Sequence, residues 1–99
     1  MKKIVQQLNQ VFENRVRLAI MSVLIVNDSM DFNSLKQSLE LTDGNLASHI
    51  AMLEKNNFVT VKKKFVGKKP FTSYVVTTGG RQAFADHIDA LEQLIKLTQ

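Results

Sequence analysis

The sequence has 99 residues, about one domain's worth of chain, which excludes barrel and doubly wound enzyme folds. Apolar residues make up 44% and charged residues 22%, the balance of a globular chain rather than a disordered one. There is no cysteine, which removes disulfide scaffolds, thiolate metal sites and cysteine nucleophiles together.

Residues 3–12 place Ile4, Leu8 and Val11 at helical spacing, with Val5 and Phe12 beside them, and predict a short amphipathic helix. Asn14 can cap a second helix over residues 15–26, with Val16, Ala19, Ile20, Val23 and Leu24 as its inner face. Asn27-Asp28-Ser29 breaks it. Phe32, a large apolar residue among polar ones, is expected to plug the core just before Asn33 or Ser34 caps a third helix carrying Leu35, Leu39 and Leu41. Thr42 is a good N-cap for a fourth helix over residues 43–56, and Asp43 suits the positive end of its dipole. Leu46, Ile50 and Leu53 fix the inner face of that helix.

After Asn56-Asn57 the apolar period changes from helical to alternating. Residues 58–66 and 71–77 read as strands rich in β-branched and aromatic residues, joined by Gly67-Lys68-Lys69-Pro70 as a four-residue hairpin loop. Thr77 or Thr78 then caps a last helix over residues 79–97. Its main stripe is Phe84, Ile88, Leu91 and Ile95, with a second strip of Ala83, Ala90, Leu94 and Leu97 beside it.

The net charge is +4, and it is unevenly held: residues 55–69 carry six lysines and no acid, whereas residues 18–54 sum to −4. A basic patch of this kind points to a polyanion, although a solvated lysine-rich surface has the same composition. The longest apolar run, residues 18–26 with Ser22 inside it, is far short of the ~20 residues of a membrane span. The first residues turn polar too early for a secretory signal. A cytoplasmic location with no membrane partner is expected.

The third and fourth helices are separated by the spacing of a helix-turn-helix, and a lysine-loaded hairpin follows at once. The fold class expected is mainly α with a β-hairpin wing, a winged helix-turn-helix flanked by N- and C-terminal helices. The stretch 41–55, Leu41-Thr42-Asp43-Gly44-Asn45-Leu46-Ala47-Ser48-His49-Ile50-Ala51-Met52-Leu53-Glu54-Lys55, resembles the recognition helix of the MarR/ArsR-like winged-helix transcriptional regulators. Residues 67–81, from Gly67-Lys68-Lys69-Pro70 to Gly79-Gly80-Arg81, resemble their wing and the start of their final helix. Arg17 and Leu18 also fit, and the small one-domain subgroup is the nearest pattern. The sequence departs from it at Asn57, where these proteins usually have glycine; asparagine tolerates the left-handed conformation a helix end requires. The wing also lacks the arginine that often reads the minor groove in related proteins.

Helical geometry places Gly44, Ser48, Ala51 and Lys55 opposite the inner stripe of the fourth helix, with Asn45 and Met52 on one flank and Ala47 on the other. Small residues there allow close approach to base edges. Asn45, Ala47, Ser48, Ala51 and Met52 are therefore the candidates for reading bases, and Thr42, His49, Lys55, Lys62, Lys64, Lys68 and Lys69 the candidates for the DNA backbone. For His49 a boundary role, packed against the hairpin or bonded to a carbonyl, is an equal alternative. His87, between Phe84 and Leu91, reads as structural.

The histidines have no metal-ligand spacing and the carboxylates are scattered, so no metal, cofactor or catalytic role is expected. Double-stranded DNA is the expected partner, and any small-molecule effector is left undefined. Residues 1–99 are expected to be one winged-helix domain. Its end helices (residues 1–13 and 79–99) would dimerise through Ile4, Leu8, Val11, Ala90, Leu94 and Leu97. The competing reading is a winged helix used for protein–protein assembly without specific DNA binding.

Overall fold

Three polar residues set where the first half of the chain turns. In the computed structural model, which describes all 99 residues, α1 spans only Lys2–Gln6. The predicted helix over 3–12 is interrupted because Asn9 restarts the chain. The Asn9 side-chain oxygen accepts the Val11 N–H at 3.0 Å and opens a single 3-10 turn, Gln10–Phe12. The Asn9 N–H is drawn away to His87 Nδ1 at 2.9 Å, so it cannot serve a helical ladder. The interruption drives Phe12 into the core, where it is 1% exposed and lies within 5.1–5.5 Å of the rings of Phe58, Phe84 and His87. Asn14 then caps α2, Arg15–Ile25, accepting the N–H groups of Val16 and Arg17 as expected.

The third polar residue corrects the sequence reading. Asp31, rather than Asn33 or Ser34, caps α3, Phe32–Leu39, by accepting both the N–H and the hydroxyl of Ser34. Phe32 is therefore the first residue of the helix. Leu41 lies beyond its end, because Glu40 turns left-handed with φ 53°. Met30–Asp31 also forms a strand, β1, which the sequence reading missed, since two residues are too few to show a period.

Helix α4 spans Asp43–Lys55, with the Thr42 hydroxyl accepting the Asn45 N–H at 3.1 Å. Asn57 takes φ 60° after it, the left-handed turn that asparagine was expected to tolerate. Strands β2, Val59–Val66, and β3, Lys69–Val76, pair antiparallel, and β1 pairs with the far side of β3 through Met30–Tyr74 and Asp31–Ser73. The sheet order is β1-β3-β2. The hairpin loop is two residues, Gly67-Lys68, rather than four, because Lys69 and Pro70 pair with Val66 and Phe65. Gly67 supplies the positive φ, 65°, that such a tight turn requires. Pro70 is tolerated because β1 stops short of it and asks for no N–H there.

Thr77 caps α5, Thr78–Leu97, accepting the Gly80 N–H at 2.8 Å. One core joins these parts: Phe12, Ile20, Met21, Leu24, Leu35, Leu46, Ile50, Leu53, Val59, Tyr74, Val76 and Phe84. Burial of side chains of this size is worth about 1.5–3 kcal/mol each before entropy is counted. The molecule is elongated, 54 × 25 × 21 Å, because α5 and the hairpin extend from the core.

Candidate nucleic-acid interface

The orientation of α4 is set by what it buries. Leu46, Ile50 and Leu53 are buried, which leaves Gly44, Asn45, Ala47, Ser48, Ala51, Met52 and Lys55 exposed. The outward face carries only small or polar side chains around Gly44, Ser48 and Ala51, so nothing bulky keeps another surface away from its backbone. Thr42 is also exposed; its oxygen accepts from Asn45, and its own proton remains available to an acceptor outside the chain.

The two flanks of α4 differ. Ala47 lies on the side of the hairpin, at the rim of a cleft shared with Glu54, Val61, Lys63 and Tyr74. The opposite flank carries His49, Met52 and Asn56 and meets the start of α2. There Arg17 reaches across: its Nε donates to the Val11 carbonyl at 2.7 Å and its Nη1 lies 3.0 Å from His49 Nδ1. Burial, then the positive charge of Arg17, holds the His49 pKa below the usual imidazole range. Sequence reasoning noted Arg17 only for its family fit. An arginine in a first helical turn gives no sign of which neighbouring helix it will reach.

On the hairpin, Lys62 and Lys64 share one face and Lys63 the other, as alternation requires. Lys63 turns toward α4 and lines the cleft, whereas Lys62 and Lys64 face solvent. The Lys64 ammonium lies 5.3 Å from the centroid of the Phe71 ring on the paired strand. Lys68, in the turn, and Lys69, the first residue of β3, are exposed at the tip.

The chain ends differ in part from expectation. Ile4, Leu8, Val11 and Leu94 are half-buried, and Leu97 is 54% exposed. Ala90 is fully buried within its own chain and offers nothing to a partner. Ile95, expected to dock inward, is 55% exposed. The inner face of α5 runs Gly80, Phe84, His87 and Ala90. The stripe drifts because His87, drawn inward by the Asn9 N–H, replaces Ile88 at the centre of the contact. Burial also lowers the His87 pKa, opposed by the carboxylate of Glu13. No group of three or more His, Asp or Glu side chains comes together. No helix is long and apolar enough to cross a membrane.

A short turn between α3 and α4, an outward helix face of small residues and a basic hairpin immediately after it define a winged helix-turn-helix. The chain belongs to the winged helix DNA-binding domain family, whose profile matches residues 16–95. The MarR-like resemblance drawn from residues 41–55 and 67–81 stands. The chain is 38% identical over 87 residues to the uncharacterized protein MJ0432 of Methanocaldococcus jannaschii, covering 88% of this chain and 95% of that one. Among solved structures it is similar to a transcriptional regulator homologue from Pyrococcus horikoshii OT3, with TM-score 0.87 and 31% identity over 99% of this chain and 95% of that one. PadR of Bacillus subtilis, solved in complex with operator DNA, shares the fold at TM-score 0.67 and 15% identity, covering 76% of this chain and 47% of that one.

Proposed function

We propose that this protein is a sequence-specific transcriptional regulator that binds duplex DNA as a homodimer, with α4 in the major groove and the hairpin wing on the phosphate backbone. The observation that carries this reading is the pairing of an exposed, small-residue α4 face with a hairpin bearing five lysines, Lys62, Lys63, Lys64, Lys68 and Lys69. Asn45 and Ser48, near the N-terminal end of α4, would hydrogen-bond base edges; Ala47, Ala51 and Met52 would supply apolar contact, including to thymine methyls. Thr42, His49, Lys55, Lys62, Lys64, Lys68 and Lys69 would hold phosphates, which fix register rather than read sequence. In this reading residues 1–99 act as one domain whose end helices pair two copies, and the protein has no catalytic task.

Binding-site selection from random duplex DNA tests sequence specificity directly. If each protomer neutralises ~3 phosphates, log affinity falls against log salt with a slope of roughly −5 for the dimer. The alternative, a protein–protein assembly module, draws on the net charge of −4 over residues 18–54. A slope near zero, with no enriched sequence, would favour it.

A further inference from the structure

Arg17 is the one arginine of this chain that is not exposed. The one ion pair within 4.0 Å joins Lys36 to Asp43, so Arg17 has no carboxylate partner. It is instead half-buried, spent on a carbonyl and an imidazole, and lines a groove with Gln10, Met52, Lys55 and Asn56 along the flank of α4 turned away from the wing. A guanidinium has donors and no acceptor. The Arg17–His49 contact at 3.0 Å therefore requires His49 Nδ1 to be bare and to accept, which puts the ring proton on Nε2. His49 makes no other hydrogen bond, and no buried side-chain nitrogen lacks a partner, so Nε2–H opens to solvent.

We propose that Arg17 is a positioning residue for a second DNA-backbone contact: it fixes His49 as the Nε2–H tautomer, aimed at a phosphate oxygen on the flank of α4 opposite the wing. This rests on the DNA-binding reading and deepens it. The carbonyl of Val11 anchors Arg17 Nε, so the 3-10 turn, α2 and α4 are braced at one point. The uncompensated charges of Arg17 and Lys55 make the same groove attractive to an anion. With the wing lysines on one side and His49 on the other, the recognition helix would be held from both flanks. Because a phosphate contact carries no sequence preference, the operator need not be known to test it.

The experiment has two arms. In the free protein, nitrogen-15 NMR of the imidazoles should give the Nε2–H pattern for His49 at neutral pH, and Arg17→Gln should shift it toward a tautomer mixture. In the second arm, a fluorescent mixed-sequence duplex of about two helical turns is titrated at low salt. His49→Phe should weaken binding roughly tenfold, as loss of a hydrogen bond to a charged group implies, and Arg17→Gln, which leaves the His49 donor in part of the molecules, by a smaller factor. The double variant should be weaker than wild type by less than the product of the two single losses. His49→Gln, which keeps an N–H donor, should recover most of the loss and covers the case in which Arg17→Gln fails to fold. An Nδ1–H tautomer in the wild type overturns the proposal without any DNA. Wild-type binding unaffected by His49→Phe, or strictly additive losses, overturns it while leaving the DNA-binding reading intact. Failure of the wild type to bind any duplex removes both.

Discussion

Gly80 lies directly against the main chain of Phe58. A Cβ built at Gly80 would overlap the Phe58 carbonyl oxygen and stand 2.8 Å from its Cα and carbonyl carbon. The approach is drawn in by Thr77, whose N–H donates to the Phe58 carbonyl at 3.0 Å and whose hydroxyl donates to the Asn57 carbonyl at 2.7 Å. The first turn of α5 is thus pinned to the segment that follows α4. Gly80→Ala should destabilise by roughly 1–3 kcal/mol or more, because backbone cannot step aside as a side chain would. At Gly79 a Cβ meets only Thr77 Oγ1, at 3.9 Å, and Gly79→Ala should gain roughly 0.4–1 kcal/mol from the lost freedom of the unfolded chain. Thermal melts of the two variants should move in opposite directions.

Above the acid range in which Asp31, its pKa lowered first by the Ser34 hydroxyl, takes up its proton, the pH dependence of stability should come from the histidines. Both His49 and His87 have pKa values below their unfolded value of 6.5, each through burial first. Between the folded and unfolded values the unfolded chain binds more protons, so stability rises with pH there. The stabilisation is fully present above about 6.5 and is lost as pH falls through the lowered folded values. His87 should dominate, because a proton on Nδ1 would break its bond from the Asn9 N–H. Urea midpoints should be flat at neutral pH and decline below it, and His87→Gln should flatten that decline. An unchanged slope in the variant would assign the dependence elsewhere.

Anchoring and reading should separate by mutation. Lys68→Ala with Lys69→Ala should weaken selected and scrambled duplexes alike and lower the salt slope by about 2 per protomer. Asn45→Ala should cost about 1–3 kcal/mol on the selected duplex and leave the scrambled one nearly untouched. Anisotropy at two salt concentrations reads both effects. The reverse pattern would exchange the roles of helix and wing.

The exposed end of α5 should mediate self-association. Leu97 and Ile95 are about half exposed beside the half-buried Leu94, and α1 adds Val5 at 49% exposure. Sedimentation should give about twice the 11.2 kDa chain mass, and Leu94→Glu with Leu97→Glu should give monomers. Ala90, buried within its own chain, is not part of this test. A monomeric wild type at tens of micromolar (roughly ordinary assay conditions) would sink the idea.

Local chemistry was legible at most helix starts, the Asp31 cap of α3 being the exception. Asn14, Thr42 and Thr77 each cap the helix their side-chain chemistry predicts, and Asn57 adopts the left-handed turn. The inner stripe of α4 followed from spacing, and with it the outward face of the candidate interface. What escaped depends on distant partners. Asn9 ends α1 because His87, 78 residues on, takes its N–H. Ile95 and Ala90 depart from expectation because His87, held inward by the Asn9 N–H, shifts the buried face of α5. Arg17 meets His49 across 32 residues through tertiary packing alone.

The hairpin has a different stiffness at its two ends. Near its base, β3 is flanked on both sides, with β1 at Ser73 and Tyr74, and Val59, Tyr74 and Val76 sink into the core. Past that point it is a two-stranded ribbon whose side chains are nearly all exposed, an arrangement with little stability of its own. The tip can therefore bend and twist while its root stays fixed, without disturbing any core contact. A compliant tip of this kind would follow a groove that is narrow in one duplex and wide in another, and charge placed on it would tolerate variation in DNA shape that a rigid helix could not.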